Sequence, residues 1–372
     1  CTLLSGGVHV APVALLYHAE AEWTGEAMLM QKPARRLLDS QIDYDILPTD
    51  VFRDREHYHT DLSEEFRVNQ QSYRALVVPY AQFISPVLAE AIRQMQEIGV
   101  PVIFLEGLPE GVYEGEALQL ELLKQCKVMP LGQLVEYLRK EEIAEVHLNP
   151  GNGRVRYLHY KKERDIYYFI NEGTEKYRGT VTLRQNGPVY AYHAWDNVLE
   201  RVEWSESGGN CNVEMELEPY QSCILIFDEA GEKELREPLS VTKQEGREVL
   251  FAADWHREVC ESVAYPRFSG GKKVTLPDHL AEEMPKFSGW ARYENQIELL
   301  GGKRIVLVIT DAYEGVEVFV NGASAGVQVV PTYQFDITGL VREGRNDIVM
   351  EVSTTLERER AAAKNKSMIE RG

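Results

Sequence analysis

The chain has 372 residues, of which 44% are hydrophobic and 27% are charged, and its formal net charge is −19 at pH 7. This length exceeds what one core normally organises and predicts two or three domains. The negative charge disfavours nucleic acids and anionic membranes as partners, because phosphate binding depends on clustered Lys and Arg. No apolar run approaches the roughly 20 residues of a membrane-spanning helix, so we expect no membrane partner.

The first third of the chain alternates segments typical of strands and helices. Short apolar runs that fit buried parallel strands lie at residues 12–18, 43–48, 73–80 and 100–107. Helical segments lie between them at residues 25–39 and 85–99. The second helix has clear boundary residues, with Ser85 as N-cap, Pro86 at the first position and Gly99 beyond the end. This alternation predicts an α/β domain over residues 8–143, with a doubly wound parallel sheet of the flavodoxin type.

The rest of the chain is rich in strands. Residues 144–240 carry short strand-like runs separated by Gly, Asn and Pro turns, and predict a small β-sandwich. Residues 241–356 include Asn321 followed by Gly322, a dipeptide that favours a type I′ hairpin turn. We predict a jelly-roll sandwich there. Residues 357–372 contain helix formers without an apolar stripe, so we expect a tail.

A histidine and several carboxylates follow the predicted parallel strands. His18, Glu20 and Glu22 come after the first strand, and Glu106 comes after the fourth. The carboxyl ends of parallel strands meet at one edge of the sheet, where open α/β folds bind ligands. These four residues are therefore candidates for a small-ligand or hydrolytic pocket. The alternative is that the carboxylates are exposed and lie at the starts of helices.

Metal and cofactor sites have little support in the sequence. His57, His59 and Asp61 alternate and could share one face of an extended chain, but the charged residues around them favour a solvated loop. We therefore predict no metal and no cofactor. The five cysteines are scattered and form no CxxC pair, which disfavours zinc and a disulfide framework. Unpaired cysteines favour a reducing, cytoplasmic compartment.

The third segment resembles the galactose-binding-like jelly roll of family 2 type glycoside hydrolases. The matching stretches, besides Gly326, are GWARYE at 289–294, VFVNG at 318–322, FDIT at 335–338 and GRNDI at 344–348. The first segment resembles the class I glutamine amidotransferases and the related domain of some β-galactosidases. The whole arrangement is similar to the C-terminal, non-barrel region of family 106 glycoside hydrolases, the α-L-rhamnosidase type.

This resemblance implies a non-catalytic region of a longer glycoside hydrolase. In that family a β/α barrel nearer the N-terminus carries the catalytic carboxylates, so the resemblance implies that this barrel is the missing partner. The expected roles are scaffolding, a share of the cleft wall, or assembly of a homo-oligomer. In amidotransferases the strand before the nucleophile elbow ends in Cys. Matching residues 101–105 to that strand places Glu106 there, and a carboxylate cannot perform thiolate chemistry.

Two alternative functions remain open. The jelly roll could be an autonomous carbohydrate-binding module, or the pocket at Glu20, Glu22 and Glu106 could belong to an enzyme. Sugar binding would use aromatic rings beside polar side chains, and the candidates are Trp290, Arg292, Glu294, Asn321 and Tyr333. The competing interpretation is that these aromatic residues belong to the core and that Asn321 serves its turn. Because strand residues alternate between faces, we expect Tyr293 to point inward and its two neighbours outward.

Overall fold

The computed structural model describes residues 3–113, 118–194, 198–227, 235–236, 248–300, 304–310, 312, 315–329 and 333–354. The chain divides into two compact units, Cys1–Ser240 and Val241–Gly372. The predicted tail at residues 357–372 lies outside the described residues. No helix within the described ranges is long and apolar enough to cross a bilayer.

The first unit begins with alternating strands and helices. Its strands here are Val8–His9 (β1), Val13–Tyr17 (β2), Tyr44–Pro48 (β3), Thr60–Asp61 (β4), Phe66–Val68 (β5), Gln71–Tyr73 (β6), Ala75–Val78 (β7), Phe83–Ile84 (β8), Val102–Leu105 (β9), Gly111–Val112 (β10) and Lys127–Met129 (β11). Its helices are Ala19–Thr24 (α1), Gln31–Leu38 (α2), Asp50–Arg53 (α3), Arg55–Tyr58 (α4), Pro86–Glu97 (α5), Leu118–Leu123 (α6) and Leu134–Lys140 (α7), with a 3₁₀ turn at Leu131–Gln133.

Five of these strands form a parallel sheet in the order β11-β9-β7-β2-β3. The four predicted parallel strands are confirmed, and β11 adds a fifth. Helices cover both faces of the sheet: Leu15 packs in one core with Leu37 of α2, and Leu16 packs in the other with Ile92 of α5. Burial on both faces explains why these strands are continuous apolar runs without polar alternation.

Helix α5 has the predicted boundaries. The Ser85 side chain accepts a hydrogen bond from the amide of Leu88, and Pro86 is the first helical residue. Gly99, just past the end, has a φ of 77°, which glycine adopts without steric cost.

The helix predicted over residues 25–39 is wrong in its first part. Helix α2 begins only at Gln31, and residues before it run beside the loop that follows β7. There the amide of Met28 donates to the carbonyl of Tyr80 at 2.8 Å, and Ala27 forms an isolated bridge with Ala81. These long-range bonds replace the bonds that a helix would have formed.

The remainder of the first unit contains two facing sheets. Its strands are Val146–Asn149 (β12), Val155–Lys161 (β13), Asp165–Asn171 (β14), Tyr177–Leu183 (β15), Val189–His193 (β16), Val198–Arg201 (β17), Trp204–Ser207 (β18), Asn210–Leu217 (β19), Ser222–Phe227 (β20) and Leu235–Arg236 (β21). The sheets have the orders β1-β13-β14-β20-β16-β17-β21 and β12-β15-β19-β18. One core, which includes Phe169 and Val213, draws residues from both sheets. Strand β1 thus belongs to this layer, although it precedes the parallel sheet in the chain.

The second unit is almost entirely β. Its strands are Trp255–Glu261 (β22), Ser269–Val274 (β23), Gly289–Leu299 (β24), Val306–Ile309 (β25), Val316–Val320 (β26), Ala323–Gln328 (β27), Tyr333–Asp336 (β28) and Gly344–Ser353 (β29), and its one described α-helix is Leu280–Glu283 (α8). The sheets have the orders β23-β22-β24-β29-β26-β27 and β25-β28. Asn321 and Gly322 join β26 to β27 with φ values of 52° and 83°, which confirms the predicted hairpin turn.

Candidate functional site

His18 lies at the carboxyl edge of the parallel sheet, directly after β2. Its side chain is 6% exposed, and neither ring nitrogen has a hydrogen-bond partner among the residues that the structure describes. Burial lowers the pKa of His18 to about 4, although the nearby Glu20 carboxylate acts in the opposite direction. The ring is therefore neutral at pH 7, with one N–H donor and one bare nitrogen acceptor. Leaving such groups unpaired costs about 1–3 kcal/mol each.

Glu20 lies beside His18 at the start of α1 and is held in place by two neighbours. The buried hydroxyl of Thr49, which follows β3, donates to both carboxylate oxygens at 2.9 and 3.1 Å. Arg53 of α3 donates to the same carboxylate at 3.2 Å. Partial burial acts to raise the pKa of Glu20, but bonds from its own backbone amide, Thr49 and Arg53 outweigh it and lower the pKa. The carboxylate is therefore ionised at neutral pH.

His18 and Glu20 share the wall of a small, open cavity. Its other polar lining residues are Thr49, Ser85 and Tyr113. Apolar side chains complete the wall, namely Ala21, Phe83, Ile84 and Leu88. The space admits about one water molecule, far less than the several hundred Å³ of a typical small-molecule site. Only a group of hydroxyl size can enter it.

The other two residues proposed for this pocket lie apart from it. Glu22 is exposed on α1 and does not line the cavity. Glu106 follows β9 with a φ of 64°, and its carboxylate accepts a hydrogen bond from the amide of Leu131 at 2.8 Å. Glu106 thus occupies a sharp turn at the end of a strand and ties β9 to the segment after β11. The structure brings together His18 and Glu20 and separates them from Glu22 and Glu106.

Sequence reasoning did not find Thr49, Arg53 or Tyr113. Thr49 could have been found, because it follows the second parallel strand and the same edge rule applies to it. Arg53 and Tyr113 carry no such signal, since Arg53 belongs to the short helix α3 and Tyr113 follows the short strand β10, and the sequence pattern revealed neither element.

In the second unit, Trp290, Arg292 and Glu294 share one face of β24. Tyr293 points to the opposite, inner face and is 8% exposed, as strand alternation predicted. The Trp290 ring lies 5.0 Å from the ring of Tyr265, centroid to centroid. These candidates therefore lie on the outer face of the sheet, partly covered by the loop that carries Tyr265.

Arg292 has partners inside the second unit. It donates to the buried carboxylate of Glu351 at 2.6 Å, and its guanidinium lies 3.8 Å above the ring of Phe268. Tyr265, which is 44% exposed, donates to the other oxygen of Glu351 at 3.0 Å. These contacts join the covering loop to strands β24 and β29.

The last two candidates of the second unit serve the fold. Tyr333 is 1% exposed in the core, so its ring offers no face to a ligand. Asn321 donates to the carbonyl of Leu340 and to the side chain of Asn346, and accepts from the amide of Asp347. Both side chains thus serve the packing and turn structure of the second unit.

Metal-ligand clusters are absent from the described ranges, where no group of three or more His, Cys, Asp or Glu could hold an ion. In the segment with His57 and His59, the Asp61 carboxylate bonds to Ser63 and to Arg67 at 3.1 Å. His59 ends α4 in a left-handed conformation.

Comparison with solved structures shows a glycoside hydrolase-like fold. The chain is similar to a rhamnosidase from Novosphingobium sp. PP1Y, with a TM-score of 0.67 and 16% identity over 98% of this chain and 37% of that one. Weaker similarities, below the level that supports a conclusion, include alpha-L-fucosidase isoenzyme 2 from Paenibacillus thiaminolyticus (TM-score 0.40, 12% identity, 61% of this chain and 50% of that one) and an apo exo-carrageenase GH42 from Bacteroides ovatus (0.37, 14%, 58% and 28%). No family model matches the chain, and no curated protein matches it in sequence. The chain spans little more than a third of the rhamnosidase, and at this identity the likeness shows the fold alone.

Proposed function

We propose that this chain is a non-catalytic region of a glycoside hydrolase and that it supports a catalytic barrel elsewhere in the same protein. The observation that carries the proposal is the structural match to a rhamnosidase over 98% of the chain, with a TM-score of 0.67. Since the chain corresponds to 37% of that enzyme, the remaining length leaves room for a separate catalytic domain. The substrate class that follows is an α-L-rhamnoside, within the family 106 type.

The carboxyl groups of the chain support a non-catalytic role. Glycoside hydrolysis uses two carboxyl groups across the sugar, and one acts as a general acid with a raised pKa. Within the described part of the chain, every Asp or Glu whose pKa clearly departs from its ordinary value departs downward. Glu20 is among them, with Thr49 and Arg53 occupying its oxygens. An ionised, hydrogen-bonded carboxylate is unsuited to donate a proton at neutral pH.

Hydrolysis of para-nitrophenyl glycosides, including the α-L-rhamnoside, tests the non-catalytic role. We expect no release of nitrophenol above the uncatalysed rate, with the Novosphingobium rhamnosidase as positive control. Turnover by this chain would contradict the proposal. Loss of that turnover in Glu20→Gln or Glu106→Gln would then assign a hydrolytic site to the α/β layer.

The partner barrel is tested by reading the coding sequence on both sides of this segment. We expect an adjoining frame that encodes a β/α barrel with two carboxylates at the carboxyl ends of its strands. Adjoining sequence without such a barrel would contradict the proposed partner.

A carbohydrate-binding module in the second unit is the second candidate function. Tyr265 favours it, since this half-exposed ring lies beside Trp290 on the outer face of the sheet. Tyr333 and Asn321 weigh against it, because the core and the hairpin turn occupy them. Glycan-array binding that is lost in Tyr265→Ala would support this function, and binding that survives both Tyr265→Ala and Trp290→Ala would place the binding site elsewhere.

A further inference from the structure

The cavity at the carboxyl edge of the parallel sheet contains a buried polar side chain without a partner. His18 is 6% exposed, lines the cavity, and has no hydrogen-bond partner for either ring nitrogen in the described part of the molecule. Buried polar groups in folded proteins are normally paired with protein atoms, water or a ligand. The two unpaired ring nitrogens, one a donor and one an acceptor, therefore indicate that something polar occupies this cavity.

Charge restricts what the occupant can be. The neutral imidazole of His18 and the Glu20 carboxylate provide no positive charge at the wall to attract an anion, although Arg53 pairs with the outer side of that carboxylate. A metal ion would need more ligands, and the described residues place no third His, Cys, Asp or Glu near these two. An uncharged hydroxyl remains, which donates one hydrogen bond and accepts others. It can pair with both His18 and Glu20.

Size restricts how the occupant binds. The cavity has room for about one water molecule, so only a single hydroxyl can enter, and the body of the ligand must lie outside. Helix α1, which supplies Glu20 and Ala21 to the cavity wall, also carries Trp23, whose side chain is 86% exposed. Trp23 is three residues after Glu20, and residues at this spacing lie on the same face of a helix. Two aromatic rings, Phe83 and Tyr113, lie in the cavity wall itself.

A large exposed indole on the helix that lines a hydroxyl-sized polar cavity matches the two-sided chemistry of a sugar. The C–H face of a pyranose packs on an aromatic ring, and its hydroxyls bond to polar side chains. We propose that this edge is a subsite for a neutral saccharide, with one hydroxyl between His18 and Glu20 and the sugar ring against Trp23. The choice of a saccharide rests on the proposed glycoside hydrolase function, whereas the position of the subsite rests on the cavity and Trp23 alone.

Titration of the chain with methyl α-L-rhamnoside, methyl α-L-fucoside and methyl β-D-glucoside tests the subsite. Binding is followed by the nitrogen chemical shifts of the histidine rings and by tryptophan fluorescence. We expect at least one glycoside to shift the His18 nitrogens. Trp23→Ala should weaken its affinity about tenfold, because the ring stacking is lost. The exposed position of Trp23 means that this variant should fold normally, and Trp204→Ala is the matched control without effect on binding.

Two further variants separate binding from folding. His18→Phe fills the cavity and removes the ring nitrogens, so it should abolish glycoside binding. Glu20→Gln keeps a hydrogen-bonding side chain of the same size and should weaken glycoside binding by only a fewfold. Unchanged His18 signals at saturating glycoside, or equal affinity in Trp23→Ala, would overturn the subsite and leave water as the occupant. Because hydrolysis is assayed separately, turnover by the chain would refute its non-catalytic role without touching this result, and a silent titration would refute the subsite alone.

Discussion

His9 and Asp43 form an ion pair between the two layers of the first unit. Nε2 of His9 in β1 lies 2.8 Å from Oδ2 of Asp43, which immediately precedes β3 of the parallel sheet. Nδ1 of the same ring lies 3.2 Å from Asp45. Bonds to these two carboxylates raise the pKa of His9 to about 10, against the opposing effect of burial.

Because of this pair, we expect the stability of the first unit to decrease at alkaline pH. A raised pKa in the fold means that the protonated ring stabilises it fully below pH 6.5 and that this contribution is lost as the pH rises through about 10. Between these values we expect the free energy of unfolding of the wild type to fall by about 1–2 kcal/mol more than that of His9→Gln, after allowance for partial solvent exposure. Urea unfolding at both pH values measures the difference. His57→Asn, at an exposed position, should behave as the wild type, and parallel curves for wild type and His9→Gln would contradict the prediction.

His159 is a second histidine between carboxylates, and it is buried. Its ring donates to Glu145 and Asp165 at 3.1 and 2.9 Å and stacks on Tyr167 with centroids 4.1 Å apart. Burial alone lowers its pKa, but the two carboxylates outweigh this effect and raise it. His159→Phe keeps the stack but removes the hydrogen bonds to both carboxylates, so we expect a loss of about 3–5 kcal/mol at pH 7.

Acid should reduce the effect of His159→Phe. Burial acts to raise the pKa of Asp165 in the fold, but the hydrogen bond from His159 outweighs it, and the pKa is lowered. The contribution of the Asp165 carboxylate to stability is therefore present above pH 3.8 and is lost as the pH falls further. Unfolding measured across this range should show the two proteins converging. His147→Phe, on an exposed part of β12, should change stability by no more than about 0.5 kcal/mol. A constant difference at all pH values would show that packing, and not charge, accounts for the loss.

Asn321 combines a left-handed backbone with three side-chain hydrogen bonds. Asn321→Ala removes the bonds and places an alanine at a φ of 52°, so we expect a loss of about 2 kcal/mol in the second unit. Asn321→Gly also loses the bonds but adopts this φ freely, and it should be less destabilised. Guanidinium unfolding compares the three proteins. Equal losses in both variants would mean that backbone conformation contributes nothing.

Glu106 provides a similar comparison at the end of β9. Glu106→Val should destabilise the first unit by about 2 kcal/mol, because a β-branched residue fits poorly at a φ of 64°. Glu106→Gln keeps the bond to the amide of Leu131 and should remain within about 1 kcal/mol of the wild type. Thermal unfolding would contradict this account if Glu106→Val were as stable as Glu106→Gln.

Local sequence patterns were sufficient to predict the secondary structure wherever a single segment determines it. The runs that became β2, β7 and β9 are apolar throughout because helices cover both faces of the sheet. Helix α5 was predicted with its boundaries because its cap residues are local. The start of α2 was missed because Met28 bonds to Tyr80, which is 52 positions away, and no local pattern reports that contact.

The candidate site was only partly predicted, again because sequence patterns report local structure and not long-range side-chain contacts. Sheet topology brings the residue after each parallel strand to one edge, which identified His18 and Glu20. The rule gives no direction for side chains, so it could not separate Glu106, whose carboxylate turns to the Leu131 amide. It also could not show that His18 would be buried without a partner.

The position of β1 has a consequence for how the first unit is built. Val8 and His9 pair with Lys161 and Tyr160 at the edge of the seven-stranded sheet, and after only three intervening residues the chain enters the parallel sheet. Strand β1 therefore links the two layers through the backbone, because it pairs in one layer and leads directly into the other. A gene split near residue 143 would therefore deprive the second layer of its edge strand. We therefore expect the two layers to unfold together as one cooperative block.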